Sequence, residues 1–257
     1  WIGVWNAGAS GTYAYGDFGS WTQGGGVPGI DGLLSVNDTA SFTKAGNYQV
    51  NLNGVSPTLS GLTFSTGAYT IAAGTPTGGT ITLANAGGVT VTVSGLQTVN
   101  VPLALSNAGS FVVNTGGSLT LNGVVSGTVG VTKTGSGLLR LGADNVFSGG
   151  VEVRAGSLEL ARVGGSLPDE SALWVNGGTV LVTQADTVGS LTLSSGVMSG
   201  GTLTAGTYAL QGGVMNGNLG GGVMTVNGNV ALNGTAGASV VSLDGGTLSL
   251  GAASALS

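Results

Sequence analysis

Short runs of alternating apolar and polar residues recur along the chain from about residue 41 onward. Typical runs are VTVTV at 89–93, LTL at 119–121 and VLV at 180–182. A period of two is the signal of a β-strand that buries one of its faces. No segment shows the helical period of 3.6, and glycine recurs too often for helix interiors. The pattern therefore predicts an all-β fold with almost no helix.

A sequence motif of small residues followed by alternating apolar positions repeats at a nearly constant interval. Its copies place Leu119, Leu138, Leu158 and Val180 at equivalent positions. A repeat unit of about 20 residues can hold two or three short strands, which is one coil of a parallel solenoid. Each strand would then stack on its counterpart in the next coil, about 4.8 Å away. We expect a parallel β-helix (β-solenoid) built from coils of this length.

An antiparallel sandwich is the alternative that the turn residues leave open. Six Asn-Gly dipeptides, which are typical of tight hairpin turns, begin at residues 53, 122, 176, 216, 227 and 233. In a solenoid the same dipeptides would form corners, because Gly and Asn tolerate positive φ. The motif repeated at a nearly constant interval favours the solenoid.

Aromatic residues are concentrated at the start of the chain. Six of the fourteen aromatics lie in the segment 1–21, namely Trp1, Trp5, Tyr13, Tyr15, Phe18 and Trp21. The open end of a stack exposes core side chains and unpaired backbone groups, which bulky rings can cover. We therefore expect residues 1–45 to form an aromatic-rich N-terminal cap and residues 46–257 to form the solenoid. A carbohydrate-binding platform is the other use that such rings suggest.

Composition excludes several classes of function. The chain has five Lys and Arg residues, too few for a nucleic-acid-binding surface, and no run of about 18 apolar residues that would span a membrane. It has neither cysteine nor histidine, so disulfides, thiolate metal sites and the commonest general base are absent. We expect a protein that is not an enzyme and that binds no metal or cofactor.

The few charges are unevenly distributed. Residues 45–132 and 187–243 contain none, whereas the segment 130–161 is the most charged part of the chain. Outward faces of Thr, Ser and Asn can touch each other without desolvating ions, and ladders of such residues stack well. The expected partners are therefore other copies of the chain, in a homo-oligomer or filament, with surface polysaccharide as a further candidate.

Arg140 and Glu159 occupy equivalent places in two neighbouring coils, within the runs LRL and LEL. In a solenoid the two side chains would lie next to each other on the outer face. Such an inter-coil ion pair is worth about 0.2–1 kcal/mol. We interpret it as a device that fixes register rather than as an interaction patch.

The segment 130–161 also has the most regular sequence motifs of the chain. Its motifs are TKTGSG at 132–137, LRL at 139–141, FSGG at 147–150 and AGSLEL at 155–160. These residues resemble the autotransporter-associated β-strand repeat, which is also called the passenger-associated transport repeat. Leu138, Val146 and Val151 stand where that family usually has threonine, which makes this coil more apolar.

The resemblance implies a right-handed parallel β-helix exported by a Gram-negative bacterium. In that family the repeat is structural, is linked to passenger folding and export, and supplies no catalytic residues. It also implies an extracellular or cell-surface location, reached through a signal peptide that this sequence does not contain. The expected function is a structural or adhesive solenoid that self-associates into a fibre, sheath or surface layer. The alternative is a carbohydrate-binding or carbohydrate-active β-helix that uses the N-terminal aromatics.

Overall fold

The computed structural model is a parallel β-helix, as the sequence predicts. It describes residues 2–17, 20–22, 27–29, 38–251 and 256. Strands of successive coils pair in register to form one sheet of 20 strands and a second sheet of five. The described residues contain no α-helix, and hence none long and apolar enough to cross a membrane.

Each coil of the amino-terminal two thirds contributes up to three strands, one to each face of the rod. The first face contains β1 (Ile2–Trp5), β4 (Thr39–Phe42), β7 (Gly61–Phe64), β10 (Val89–Val93), β13 (Gly109–Val113), β16 (Val131–Thr134) and β19 (Val151–Val153). The second face contains β2 (Gly11–Ala14), β5 (Asn47–Asn51), β8 (Ala68–Ala72), β11 (Leu96–Val99), β14 (Ser118–Leu121), β17 (Leu138–Leu141) and β20 (Ser157–Leu160). The third face contains β6 (Thr58–Leu59), β9 (Ile81–Leu83), β12 (Leu103–Leu105), β15 (Val125–Gly127) and β18 (Val146–Phe147).

The carboxy-terminal third continues the first two faces with longer strands that turn the corners without a break. Its strands are β21 (Ala172–Met215), β22 (Asn218–Leu219), β23 (Val223–Leu232), β24 (Val240–Leu243) and β25 (Thr247–Leu250). Residues 173–175 of β21 pair with β19, and residues 179–182 pair with β20, so one strand serves both faces. β23 does the same, because it pairs with both β24 and β25.

The coil length is not constant along the rod. In the centre Val89 pairs with Gly109, and Gly109 pairs with Val131, so these coils have the length that the sequence predicts. Near the carboxy-terminal end Val223 pairs with Val240, and the coil between them is shorter. The third face of the shorter coils is reduced to the pairing of β22 with residues 202–203 of β21 and to single bridges of Ala236 with Leu219 and with Leu256. The predicted coil length therefore describes the centre of the rod and not its carboxy-terminal end.

Apolar side chains fill the interior as in-register columns. One column contains Leu119, Leu139, Leu158 and Val180, which are all fully buried. Burying each such side chain is worth about 1.5–3 kcal/mol. The sequence spacing assigned Leu138 to this column, and that was wrong by one position. Because side chains alternate along a strand, Leu138 faces outward and only its neighbour enters the core.

Polar side chains connect the coils where the third face loses its strands. The Asn145 side chain accepts a hydrogen bond from the Val125 N–H at 2.8 Å and donates one to the Ser166 carbonyl at 2.7 Å. The Ser166 N–H donates in turn to Asp186 Oδ2 at 2.8 Å. Burial raises the pKa of Asp186, against the effect of backbone N–H groups that donate to its carboxylate. These side chains thus link four successive coils, from β15 to the coil of Asp186.

Lys133 is the one charged side chain in the inward columns of the described residues. It is in register with Phe111 and Val153 and is fully buried. Its Nζ donates hydrogen bonds to the carbonyls of Thr134 and Gly135, both at 2.7 Å, and of Ala155 at 3.1 Å. These carbonyls come from the corners of two adjacent coils, so the ammonium group ties the coils together. Desolvation lowers the pKa of Lys133 to about 8.

An aromatic cluster covers the amino-terminal end of the stack. β3 (Trp21–Thr22) pairs antiparallel with β1, on the edge opposite to the parallel strand β4. The rings of Trp5 and Trp21 pack edge to face at 5.0 Å, and both contact Phe42. Trp21 Nε1 donates to the carbonyl of Tyr15 at 2.8 Å. The antiparallel strand and the rings together close an edge that parallel coils would leave open.

The carboxy-terminal end has no such cover within the described part of the chain. Val241, Leu243 and Leu250 are in register with buried residues of β23, and yet they are exposed. β24 and β25 pair with β23 on one edge only. Among the described residues, the aromatic cluster therefore covers one edge of the stack, and the opposite edge carries exposed apolar side chains.

The two buried tryptophans allow a matched test of the cap. Trp21 Nε1 is hydrogen-bonded, whereas no described residue accepts a hydrogen bond from Trp5 Nε1. Trp21→Phe removes a buried hydrogen bond and leaves the Tyr15 carbonyl without this donor. Trp5→Phe loses similar ring area but no hydrogen bond. We expect Trp21→Phe to lower the free energy of unfolding by about 1–3 kcal/mol more than Trp5→Phe, as measured by urea denaturation. Equal losses would contradict this account.

The buried lysine predicts an unusual dependence of stability on pH. Because the pKa of Lys133 is about 8 in the folded state, below its ordinary value of 10.5, the unfolded chain binds more protons between these values. The free energy of unfolding should therefore rise with pH, by about 2 kcal/mol from about pH 8 to about pH 10. Urea denaturation of wild type and of Lys133→Met at each pH measures the difference. A similar slope in both proteins would show that another group is responsible.

Candidate functional site

The charged side chains form a belt around the middle of the rod. Three ion pairs lie within it: Arg154 with Glu152 at 2.8 Å, Arg140 with Glu159 at 3.3 Å and Arg162 with Asp144 at 3.4 Å. All six side chains are at least partly accessible, so each pair contributes little to stability. The belt coincides with the segment 130–161, which has the most regular sequence motifs.

Arg140 and Glu159 are direct neighbours on the second face, in adjacent coils. Their column continues with Thr120 on one side and with Leu181 on the other. Arg140 Nε donates to Glu159 Oε1, and no other charged group belongs to this column between β8 and β21. The pair fits a role in register, because a shift by one residue would separate the two side chains.

The predicted cap residues are largely inaccessible. Trp5, Tyr15 and Trp21 are buried, and Tyr13 is half-buried with its hydroxyl donating to the Ala9 carbonyl at 2.7 Å. Trp1 and Phe18 lie outside the described residues. Trp21 packs against both Trp5 and Tyr15, and the two tryptophans also contact Phe42, so the three buried rings offer no open face to a ligand.

An exposed tryptophan lies elsewhere, on the outside of the first face. Trp174 is 38% exposed and stands in register with Glu152, which is in register with Thr132. Part of its ring lies against Gly150. A Cβ atom at that glycine would come within 2.7 Å of Trp174 Cζ3, so a side chain there would push the ring away. Alternation along LWV at 173–175 indicates that the tryptophan points outward, a signal that the sequence reading passed over.

The carboxylate of Glu152 is held in place beside this ring. The Asn176 amide donates to Oε1 at 2.7 Å, and Arg154 contacts Oε2 at 2.8 Å. The Arg154 guanidinium, followed by the Asn176 amide, lowers the pKa of Glu152 despite the opposing effect of burial. The carboxylate is therefore ionised, oriented and electrically balanced by its neighbour.

Together these residues line an open groove of about 400 Å³. Its floor consists of glycine and small residues at the corner between coils, which include Gly130, Gly149 and Gly150. Trp174 forms one wall, and Thr132, Glu152 and Asn176 supply hydrogen-bonding groups. An aromatic surface with a few converging polar groups is the usual composition of a small-molecule site.

A second groove of about 470 Å³ lies on the third face. Asp144, Asp169 and Glu170 contribute to its lining, and Arg162 pairs with the first of them. Among the described residues no group of three or more His, Cys, Asp or Glu side chains is arranged to hold a metal ion.

Comparison with known proteins agrees with the architecture. Residues 131–160 match the Passenger-associated-transport-repeat model. A stretch of 140 residues is 31% identical to the protein "Adhesin BmaC autotransporter" of Brucella suis biovar 1 (strain 1330), and it covers 53% of this chain but 4% of that protein. No solved structure matches the chain. The match confirms the resemblance of the segment 130–161, and the chain is thus a parallel β-helix that carries a passenger-associated transport repeat.

Proposed function

We propose that this chain is part of an extracellular adhesive passenger of a Gram-negative bacterium, in which it forms a stiff rod that contacts other copies through uncharged faces. The repeat at 131–160 and the adhesin relative support the adhesive role. The stacked coils support the mechanical role, because the strands of successive coils pair in parallel along the first two faces. The chain spans a small part of that relative, so the rod would be one segment of a longer passenger.

The absence of exposed charge over long parts of the surface carries the self-association proposal. Lys133 is buried, so no charged side chain is exposed from residue 45 to residue 139. Asp186 is buried as well, which leaves the whole segment 171–243 without exposed charge. Solitary soluble proteins usually keep apart through interspersed surface charges. Both flanks of the charged belt lack this protection.

The second face supplies a regular contact surface on the amino-terminal flank. Thr70, Thr98 and Thr120 are in register on three successive coils, with their side chains directed outward. Leu96, which lies beside this column on β11, is 65% exposed. Two such faces can meet by releasing water from hydroxyl and methyl groups, without the cost of desolvating ions.

Charges introduced on this face should prevent association. We expect the wild-type chain to form larger species with increasing concentration, and the double variant Thr70→Lys/Thr120→Lys to remain monomeric, because contact would bury unpaired ammonium groups. Sedimentation velocity measures the species, and electron microscopy shows whether they are filaments.

The matched control is Thr70→Gln/Thr120→Gln, which has side chains of similar length without charge. It should associate like the wild type. A wild-type chain that stays a uniform monomer at high concentration contradicts the proposal, as does equal loss of association in the Lys and Gln variants.

A further inference from the structure

The groove beside Trp174 combines an exposed ring with oriented polar groups on the outside of the rod. We propose that Trp174, Glu152, Asn176 and Thr132 form a binding site for a neutral polysaccharide. The inference rests on the proposed extracellular role and gives the adhesive rod a ligand class. It moves the carbohydrate-binding surface away from the buried aromatics of the amino-terminal cap.

The ring of Trp174 is supported from behind. It packs against Gly150, which leaves space for the ring because it has no side chain. The φ of +75° at this position also favours glycine. The ring is thus fixed against the backbone of the preceding coil, while its exposed part lines the groove. A fixed aromatic surface binds with little loss of conformational freedom.

The polar groups fit hydroxyl groups at the edge of a stacked sugar. Both carboxylate oxygens of Glu152 are held by neighbours, at 2.7 Å from Asn176 Nδ2 and 2.8 Å from Arg154 Nη2. Each oxygen keeps a further lone pair for a ligand hydroxyl. Thr132, one coil away and in register with Glu152, adds a hydroxyl that can donate or accept. A pyranose ring presents C–H groups on its flat face and hydroxyl groups around its rim, which matches this arrangement.

Other ligand chemistries fit less well. A nucleic acid would find the ring but no positive surface, because the nearby cation Arg154 is already paired with Glu152. The same pairing balances the carboxylate and removes the net negative charge that would attract a cationic ligand. An anionic sugar would likewise find its nearest cation, Arg154, already paired with Glu152. A neutral sugar carries no charge that must be compensated.

The surroundings of the groove favour a polymer over a single sugar. Thr132 continues a column of outward hydroxyl residues on the first face, with Ser110 and Thr90 in register on the two preceding coils. Adjacent coils are about 4.8 Å apart, so the column offers hydrogen-bonding groups at regular steps along the rod axis. A sugar chain lying along this column would extend from the tryptophan, and its affinity should increase with its length.

Binding can be tested with the intact chain on an immobilised array of neutral, sialylated and sulfated glycans, followed by calorimetric titration of the strongest neutral binder. We expect a neutral glycan to bind, and its hexasaccharide to bind more tightly than its disaccharide. Trp174→Ala should weaken the affinity by about tenfold or more, and Trp174→Phe by less, because stacking is lost in the first and reduced in the second.

The matched control is Leu181→Ala, which removes an equally exposed apolar side chain from the second-face part of β21, beside Glu159. It should leave the affinity unchanged, and circular dichroism should show that every variant keeps the fold. Binding to none of the neutral glycans, or equal affinity of Trp174→Ala and wild type, would overturn the proposal. Sedimentation of Trp174→Ala separates this result from self-association, which should persist when glycan binding is lost.

Discussion

The structure depends on one constraint, the in-register hydrogen bonding of each coil to the next. Once two strands are paired in parallel, every side chain has a counterpart of the same orientation about 4.8 Å away. Inward positions therefore become columns of Val and Leu, and outward positions become columns of hydroxyl or charged residues. The corners must also coincide, which is why glycine is needed where one coil passes close to another. At Gly135, for example, a Cβ atom would collide with the carbonyl oxygen of Val113.

Alternation and spacing in the sequence determine the fold class because both are consequences of this pairing. They determine details less well. The spacing placed Leu138 where the column has Leu139. A repeated motif can gain or lose one residue between coils, whereas a shift of one residue in strand register would turn every side chain to the other face. The third face is harder to predict, because its strands are short. In the two coils that follow β18, hydrogen bonds of Asn145 and Asp186 to Ser166 take the place of strand pairing. Such contacts between distant residues leave no periodic signal.

In the candidate site, too, the sequence pattern predicts which way a side chain faces but not which residues it contacts. Alternation alone places Trp174 outside and Lys133 inside, on the same side of its strand as Val131. What alternation cannot provide is the environment: the glycine that supports the tryptophan ring, the amide that orients Glu152, or the carbonyls that surround the ammonium group. The aromatic residues concentrated near the start of the chain are mostly buried in the cap. The ring best placed to meet a ligand is isolated in the sequence.

The buried ammonium of Lys133 has a consequence for the surroundings in which the rod can persist. Three carbonyl oxygens that converge between two coils form the kind of oxygen-lined position that metal ions such as calcium occupy in proteins. Here the cation is the ammonium group of Lys133, which is part of the chain and is positioned by folding. It cannot be extracted by a chelator or diluted away, and its supply does not vary with the medium. This connection between coils therefore does not depend on the metal ions in the surrounding solution.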